Sequence, residues 1–305
     1  MSIVLSLLAQ LLHIALILLA APALAGAIDW LDARFAQRSG PPILLPWRDL
    51  VRWSRKSPMA ADNASPVTRL APAVGLGATL SAAALVPSFT LGMALSPLAD
   101  VLAVASLLTV ARVAGVLAAL DAGAARPGLT AQRSSALAVL AEPALLLSMV
   151  ALALMAGSFN LDPIIAQQRE GILLPATASA VVFTALAALI FADASATDRG
   201  ADAICSGIDL ATVRMTAWCR RLVLLNVAGG LFLPAGMATA DSGPIGWSVG
   251  LAAWVCKIGF FGVCLSGAQT LAGRIPRRSL PDLIGVAALL ALLAIVMVLA
   301  SGGSA

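Results

Sequence analysis

Residues 3–27 read IVLSLLAQLLHIALILLAAPALAGA, a stretch without a single lysine, arginine, aspartate or glutamate. An α-helix rises about 1.5 Å per residue and the hydrocarbon core of a bilayer is about 30 Å thick, so this run is long enough to cross it. Ala23-Leu24-Ala25 resembles a signal-peptide cleavage site, but a secretory signal opens on a positive segment and has a shorter apolar core, and no Lys or Arg precedes Arg34. The segment is therefore expected to remain in the mature chain. Comparable runs at 70–94, 98–120, 135–157, 173–193, 221–240, 246–270 and 281–300 predict about eight membrane helices. Composition agrees: of 305 residues 60% are hydrophobic and 11% charged, with a mean hydropathy of +0.98, whereas soluble domains carry about 25% charged residues. The expected fold class is an all-α integral membrane protein, one membrane domain over residues 1–305.

The 19 Lys and Arg and 15 Asp and Glu leave a net charge of +4, and the position of the positive charge sets the orientation. The first connection holds Arg34, Arg38, Arg48, Arg52, Arg55, Lys56 and Arg69, and the second, around Ser96 and Pro97, holds none. Arg126 and Arg133 fall in the third, Arg199, Arg214, Arg220 and Arg221 in the fifth, and Arg274, Arg277 and Arg278 in the seventh. Arg169 alone falls in an outer loop, so sixteen of the 19 basic residues lie on one side. Cytoplasmic loops are the ones enriched in Lys and Arg, which places both termini outside and the chain in a bacterial cytoplasmic (inner) membrane. Charge in short loops between apolar runs is topology, not a nucleic-acid footprint. Residues 28–69 form a basic cytoplasmic loop containing Trp30, Trp47 and Trp53. Within it, 46–56 has the mixed apolar and basic character of an interfacial helix, suited to an anchoring belt and to a docking surface for another subunit.

Ionisable side chains inside apolar spans are expensive and normally face a protein interior or a wet path. Arg112, Glu142 and Lys257 qualify. Arg112 and Glu142 lie at similar depth on adjacent predicted helices, where an ion pair could form. Pro143 follows Glu142 and frees the carbonyl of Val139 four residues earlier. Two readings stay open: a proton-carrying Glu142 in a kinked helix, or an ion pair fastening two helices. Lys257 sits near the bilayer midplane of the seventh span with no acid on that span to neutralise it. It suits either a proton relay or a subunit contact. His13 reads as a packing residue. Cys205, Cys219, Cys256 and Cys264 lack CxxC spacing, so no zinc, haem or iron–sulfur site is expected, and no cofactor.

Several short motifs occur in a telling order: Arg38-Ser39-Gly40-Pro41 and Arg48-Asp49 in the first loop, Arg69-Leu70-Ala71-Pro72, Ala111-Arg112, Leu120-Asp121-Ala122-Gly123, Ala131-Gln132-Arg133, Glu142-Pro143, Lys257 and Arg274. In this order the chain resembles the membrane subunit shared by complex I and energy-converting hydrogenases, the complex I subunit one and formate hydrogenlyase subunit four family. The resemblance implies an eight-helix heel between a hydrophilic redox arm and antiporter-like membrane subunits, holding no redox centre and not catalytic alone. It marks Glu142, Arg112, Lys257, Asp121 and Asp193 as proton-path candidates. Arg38, Gly40, Pro41, Arg48, Asp49, Arg133 and Arg274 become candidates for docking hydrogenase- or complex-I-like redox subunits.

The chain also departs from that family's pattern. Ser134, Ile204 and Gln269 stand where the family has acids, a fourth acid is softened to Asp193, and the acidic fifth loop is reduced to about Asp198-Arg199-Gly200-Ala201-Asp202. Glu142 and Glu170 are the only glutamates. Ser and Ile cannot exchange protons, so the resemblance implies a degenerate quinone site. A self-contained transporter would also use buried charges, yet no repeated halves with broken helices at matching positions are visible. A pure scaffold, with Arg112 and Glu142 as a lock, is the remaining alternative.

Overall fold

A computed structural model describes residues 2–59, 65–121, 123, 125–170, 176–195, 204–272 and 280–302. Among these, eight helices have 20 or more residues: α1 Ser2–Phe35, α3 Pro66–Leu85, α4 Val101–Asp121, α5 Ala125–Ala156, α7 Ala176–Ser195, α8 Gly207–Phe232, α9 Gly243–Ala272 and α10 Leu280–Gly302. Two short ones, α2 Leu45–Ser54 and α6 Leu161–Arg169, lie between them. Five segments are long and apolar enough to cross a bilayer: Ile3–Phe35, Val101–Asp121, Ser135–Ala156, Ala240–Leu271 and Leu280–Ala300; Ala178–Ala194 is a shorter apolar helix. The protein is a multi-pass membrane protein.

Local chemistry sets the helix ends. Pro66 opens α3, where its missing N–H costs nothing, and Ser65 Oγ accepts from the Val67 N–H at 3.2 Å. The helix stops at Leu85, not at 94 as the apolar run predicts, because Pro87 follows and the residue before a proline avoids the helical region. Val86 is accordingly extended, at φ −81°, ψ 116°. Leu233 before Pro234 ends α8 in the same way. This helix begins at Gly207 instead of 221, which moves Arg214, Arg220 and Arg221 out of the expected loop and onto a helix. Likewise α1 continues to Phe35, taking Asp29, Trp30, Asp32 and Arg34 with it.

α3 packs along α4, α10 lies across α5 and α7, and α8 is flanked by α1 and α3. One continuous core runs through them, with Phe89, Leu108, Leu152, Ile164, Leu222 and Ile284 fully buried. Many of its contacts are alanines, including Ala82, Ala111, Ala118, Ala151, Ala287 and Ala291, which let helix backbones approach where lipid offers no hydrophobic drive for association. Large apolar side chains such as Ile245, Val139, Leu289 and Leu299 point outward.

The connections gather at two ends. At one, β1 Thr90–Leu91 pairs in parallel with β2 Ala238–Thr239, and Val101 N–H and Leu161 N–H donate to Phe159 O and Ala99 O at 2.9 and 2.8 Å. The first helix is tied to this end by His13, which bonds Ser88 Oγ at 2.6 Å and Ala83 O at 2.9 Å, and by Gln10, which donates to Ala84 O at 3.0 Å. These bonds satisfy carbonyls left open where α3 ends. At the other end, Met59 N–H donates to Ser206 Oγ at 2.7 Å, and α2 docks so closely on α1 that a Cβ on Gly26 would collide with Ile43 O.

Candidate functional site

Arg112 on α4, Asp193 on α7 and Arg220 on α8 meet inside the bundle. Arg112 Nη2 donates to Asp193 Oδ1 at 2.7 Å and Arg220 Nε donates to the same oxygen at 3.0 Å. Arg220 Nη1 also donates to Leu108 O at 2.9 Å. The side chains are 13%, 19% and 12% exposed respectively. Charges so far from water persist only when paired and hydrogen-bonded, and removing one partner of such a pair typically costs about 3–5 kcal/mol. Beside the triad lies a cavity of about 20 Å³, lined by Arg112, Ala141, Leu145, Asp193, Arg220 and Leu224 among others. That is room for about one water molecule beside the carboxylate.

Asp193 is thus a partner of Arg112 that the sequence reading did not pair with it. Glu142 lies on α5 next to Ala141, which lines the cavity, and its Oε1 is buried without a hydrogen-bond partner among the described residues. Pro143 lies inside α5, so a carbonyl freed from the helix ladder and an unsatisfied carboxylate oxygen occupy adjacent turns. Lys257 is half-buried on α9 and makes no hydrogen bond or ion pair among the described residues. Asp121, by contrast, is fully engaged: its Oδ2 accepts from Ser65 N–H at 2.9 Å, Thr68 N–H at 3.2 Å and Thr68 Oγ1 at 2.5 Å. It closes the open N-terminus of α3 from the end of α4.

The docking candidates described lie near the end that holds α2. Arg38 is exposed, Gly40 sits so close to Trp30 that a Cβ would lie 3.0 Å from its ring, and Pro41 is half-buried beside it. Arg34 stacks over the Trp30 ring at 5.0 Å. On α2, Arg48 is exposed and Asp49 pairs with Arg52 at 2.8 Å. Arg133 lies on α5 but its side chain, like the whole of Arg274, falls outside the described residues.

Sequence reasoning missed Arg220 and the group around it. Asp32 accepts a short hydrogen bond from buried Ser266 on α9. Asp29, one turn earlier, lies in the field of Arg221 and Arg214, and Arg221 also acts on Asp193. The available signal was spacing: Arg214 and Arg221 are seven apart, and Asp29 and Asp32 three apart, so each pair shares a helix face.

A bundle with an apolar exterior, a charged triad in its interior and, among the described residues, no cluster of three metal-ligating side chains defines a polytopic membrane protein with paired charges inside it. The chain belongs to the NADH dehydrogenase family, the family of complex I subunit one, which it matches over residues 8–300. It is similar to formate hydrogenlyase subunit 4 of Escherichia coli K12, with 30% identity over 242 residues, 75% of this chain and 79% of that protein. Hydrogenase-4 component C of the same organism is 32% identical over 152 residues, 49% of this chain and about half, 47%, of that protein. Among solved structures, a chain of the membrane-bound sulfane sulfur reductase, an archaeal respiratory membrane complex, superposes with a TM-score of 0.73, covering 95% of this chain and 98% of its own at 18% identity.

Proposed function

We propose that this protein is the non-redox membrane subunit of a complex-I-like or formate-hydrogenlyase-like assembly, anchoring a hydrophilic redox module through its basic first connection and passing protons through its interior. The observation that carries the reading is the Arg112–Asp193–Arg220 triad, which joins three helices around one carboxylate and a water-sized cavity lined in part by Ala141, the residue before Glu142. Lys257, half-buried on α9, adds a further charge within a long apolar helix. Family membership supports the assembly context, and the replacement of acids by Ser134, Ile204 and Gln269 supports a quinone site that no longer functions.

The same reading has eight spans with both termini outside a bacterial cytoplasmic membrane. The grouping of connections supports it. The N-terminal part of α1, residues 86–100, 157–162 and 233–242 share one end, while 36–59, Ser65, Asp121 and Ser206 share the other, the division that charge bias requires.

The decisive experiment compares wild type with Glu142→Gln in the complex purified through this subunit and reconstituted in vesicles. Electron transfer and subunit composition are expected to stay at wild-type level while proton transport falls at least tenfold. Undiminished proton transport in Glu142→Gln would remove the proton path and leave an anchoring scaffold.

A further inference from the structure

At the end of the bundle that holds the N-terminus of α1, a groove of about 640 Å³ opens between α1, the 91–97 connection, the start of α6 and residues 239–241. Its floor and sides include Ile3, Leu91, Pro97 and Pro163, and its charged groups are two carboxylates, Asp162 and Asp241. Asp162 Oδ2 is fixed by the Gly92 N–H at 2.7 Å and Ser96 Oγ at 2.5 Å, leaving the rest of the carboxylate to the groove. Asp241 is exposed. No Lys, Arg or His lines the space; Arg169, two turns further along α6, is not part of it. From its rim the outward apolar residues Val4, Leu7, Leu8 and Leu11 run down α1.

We propose that this groove seats a lysine or arginine on the outer loop of a neighbouring membrane subunit, with the α1 stripe packed against that subunit's helix. The inference rests on the assembly and orientation proposed above. Two carboxylates held at a partly apolar wall attract a cation that this chain does not supply there, and burying them at an interface is favourable only with an opposite charge. A phospholipid headgroup fits less well, because its phosphate would bring a third negative charge to a groove lined by no basic side chain.

The test uses the complex purified in mild detergent through a tag on this subunit. Asp241 is exposed and holds no hydrogen bond among the described residues, so Asp241→Lys reverses the charge without disturbing the fold. It is expected to lower the yield of one membrane subunit at least fivefold relative to the hydrophilic subunits, while Asp241→Glu retains it. A Thr239→Cys thiol is expected to react at least tenfold more slowly with a hydrophilic maleimide in the complex than in the isolated subunit. Wild-type composition in Asp241→Lys, or equal reactivity of the Thr239→Cys thiol in both states, overturns the proposal. Protection that persists in the isolated subunit and vanishes on delipidation also overturns it and gives the groove to a lipid. A wild-type protein that purifies alone overturns the assembly itself and the groove's occupant with it.

Discussion

Asp121 and Asp193 are both carboxylates that the sequence marks for proton transfer, and their surroundings separate them. Asp193 sits between two guanidinium groups beside a cavity. Asp121 spends one oxygen on three donors at the start of α3, the work of a helix cap, whose loss leaves the open N–H groups of the first turn unpaired. Asp121→Ala is therefore expected to lower the thermal unfolding midpoint in detergent. Asp121→Asn, which keeps an acceptor oxygen and cannot carry a proton, should restore most of that stability and leave proton transport in the reconstituted complex unchanged. Loss of transport in Asp121→Asn with normal stability would make it a relay after all.

Helices are held to their connections by backbone-to-backbone contact as much as by side chains. At the start of α8, Gly207 has φ +58°, and a Cβ there would lie 2.5 Å from Lys56 O and 2.7 Å from Ser57 O. Both conditions exclude a larger residue, so the basic first connection is moulded onto α8 at this glycine. Gly207→Ala is expected to destabilise the protein by about 1–3 kcal/mol and to detach this connection, seen as faster proteolysis after Arg55 or Lys56 and reduced recovery of the hydrophilic subunits. Unchanged proteolysis would show that the contact is dispensable. Such contacts explain which parts of the molecule the sequence made legible. Apolar runs located the long helices, because a bilayer enforces length and composition. The start of α8 was misplaced by fourteen residues, from 221 to 207, because Arg214, Arg220 and Arg221 look like loop residues until their partners are known. Those partners, Asp29 and Asp193, lie 185 and 27 residues before Arg214 and Arg220, and no local pattern joins residues so distant. Depth along neighbouring helices pointed Arg112 to Glu142, and the bond from Arg112 to Asp193 on α7 was hidden for the same reason.

The whole molecule divides its charges by side. Arg34, Arg38, Arg48, Arg52, Arg55 and Lys56 all lie near α2 at one end, and the opposite end carries Asp100, Asp162 and Asp241 near its surface, with Arg169 at the end of α6. A membrane potential and an anionic inner leaflet both favour the basic end facing the cytoplasm. Cysteine labelling in whole cells reads this directly. Cys256 and Cys264 are exposed on α9, so both are first replaced by alanine. In that background an impermeant maleimide is expected to label Asp241→Cys in intact cells, and Arg38→Cys only after the membrane is permeabilised. The opposite pattern would invert the orientation, placing the acidic groove on the same side as the redox module. Labelling of both positions from outside would mean an even number of spans between them. Because α3, α4, α5, α7 and α8 all lie between residues 38 and 241, the expected result requires an odd number of crossings and is met when all five cross, including α3 and α8, which are not among the five apolar spans. Their polarity then has a single explanation: α8 crosses with its arginines turned inward to Asp193 and Asp29, and α3 crosses screened by α4 and α8, which pack along it.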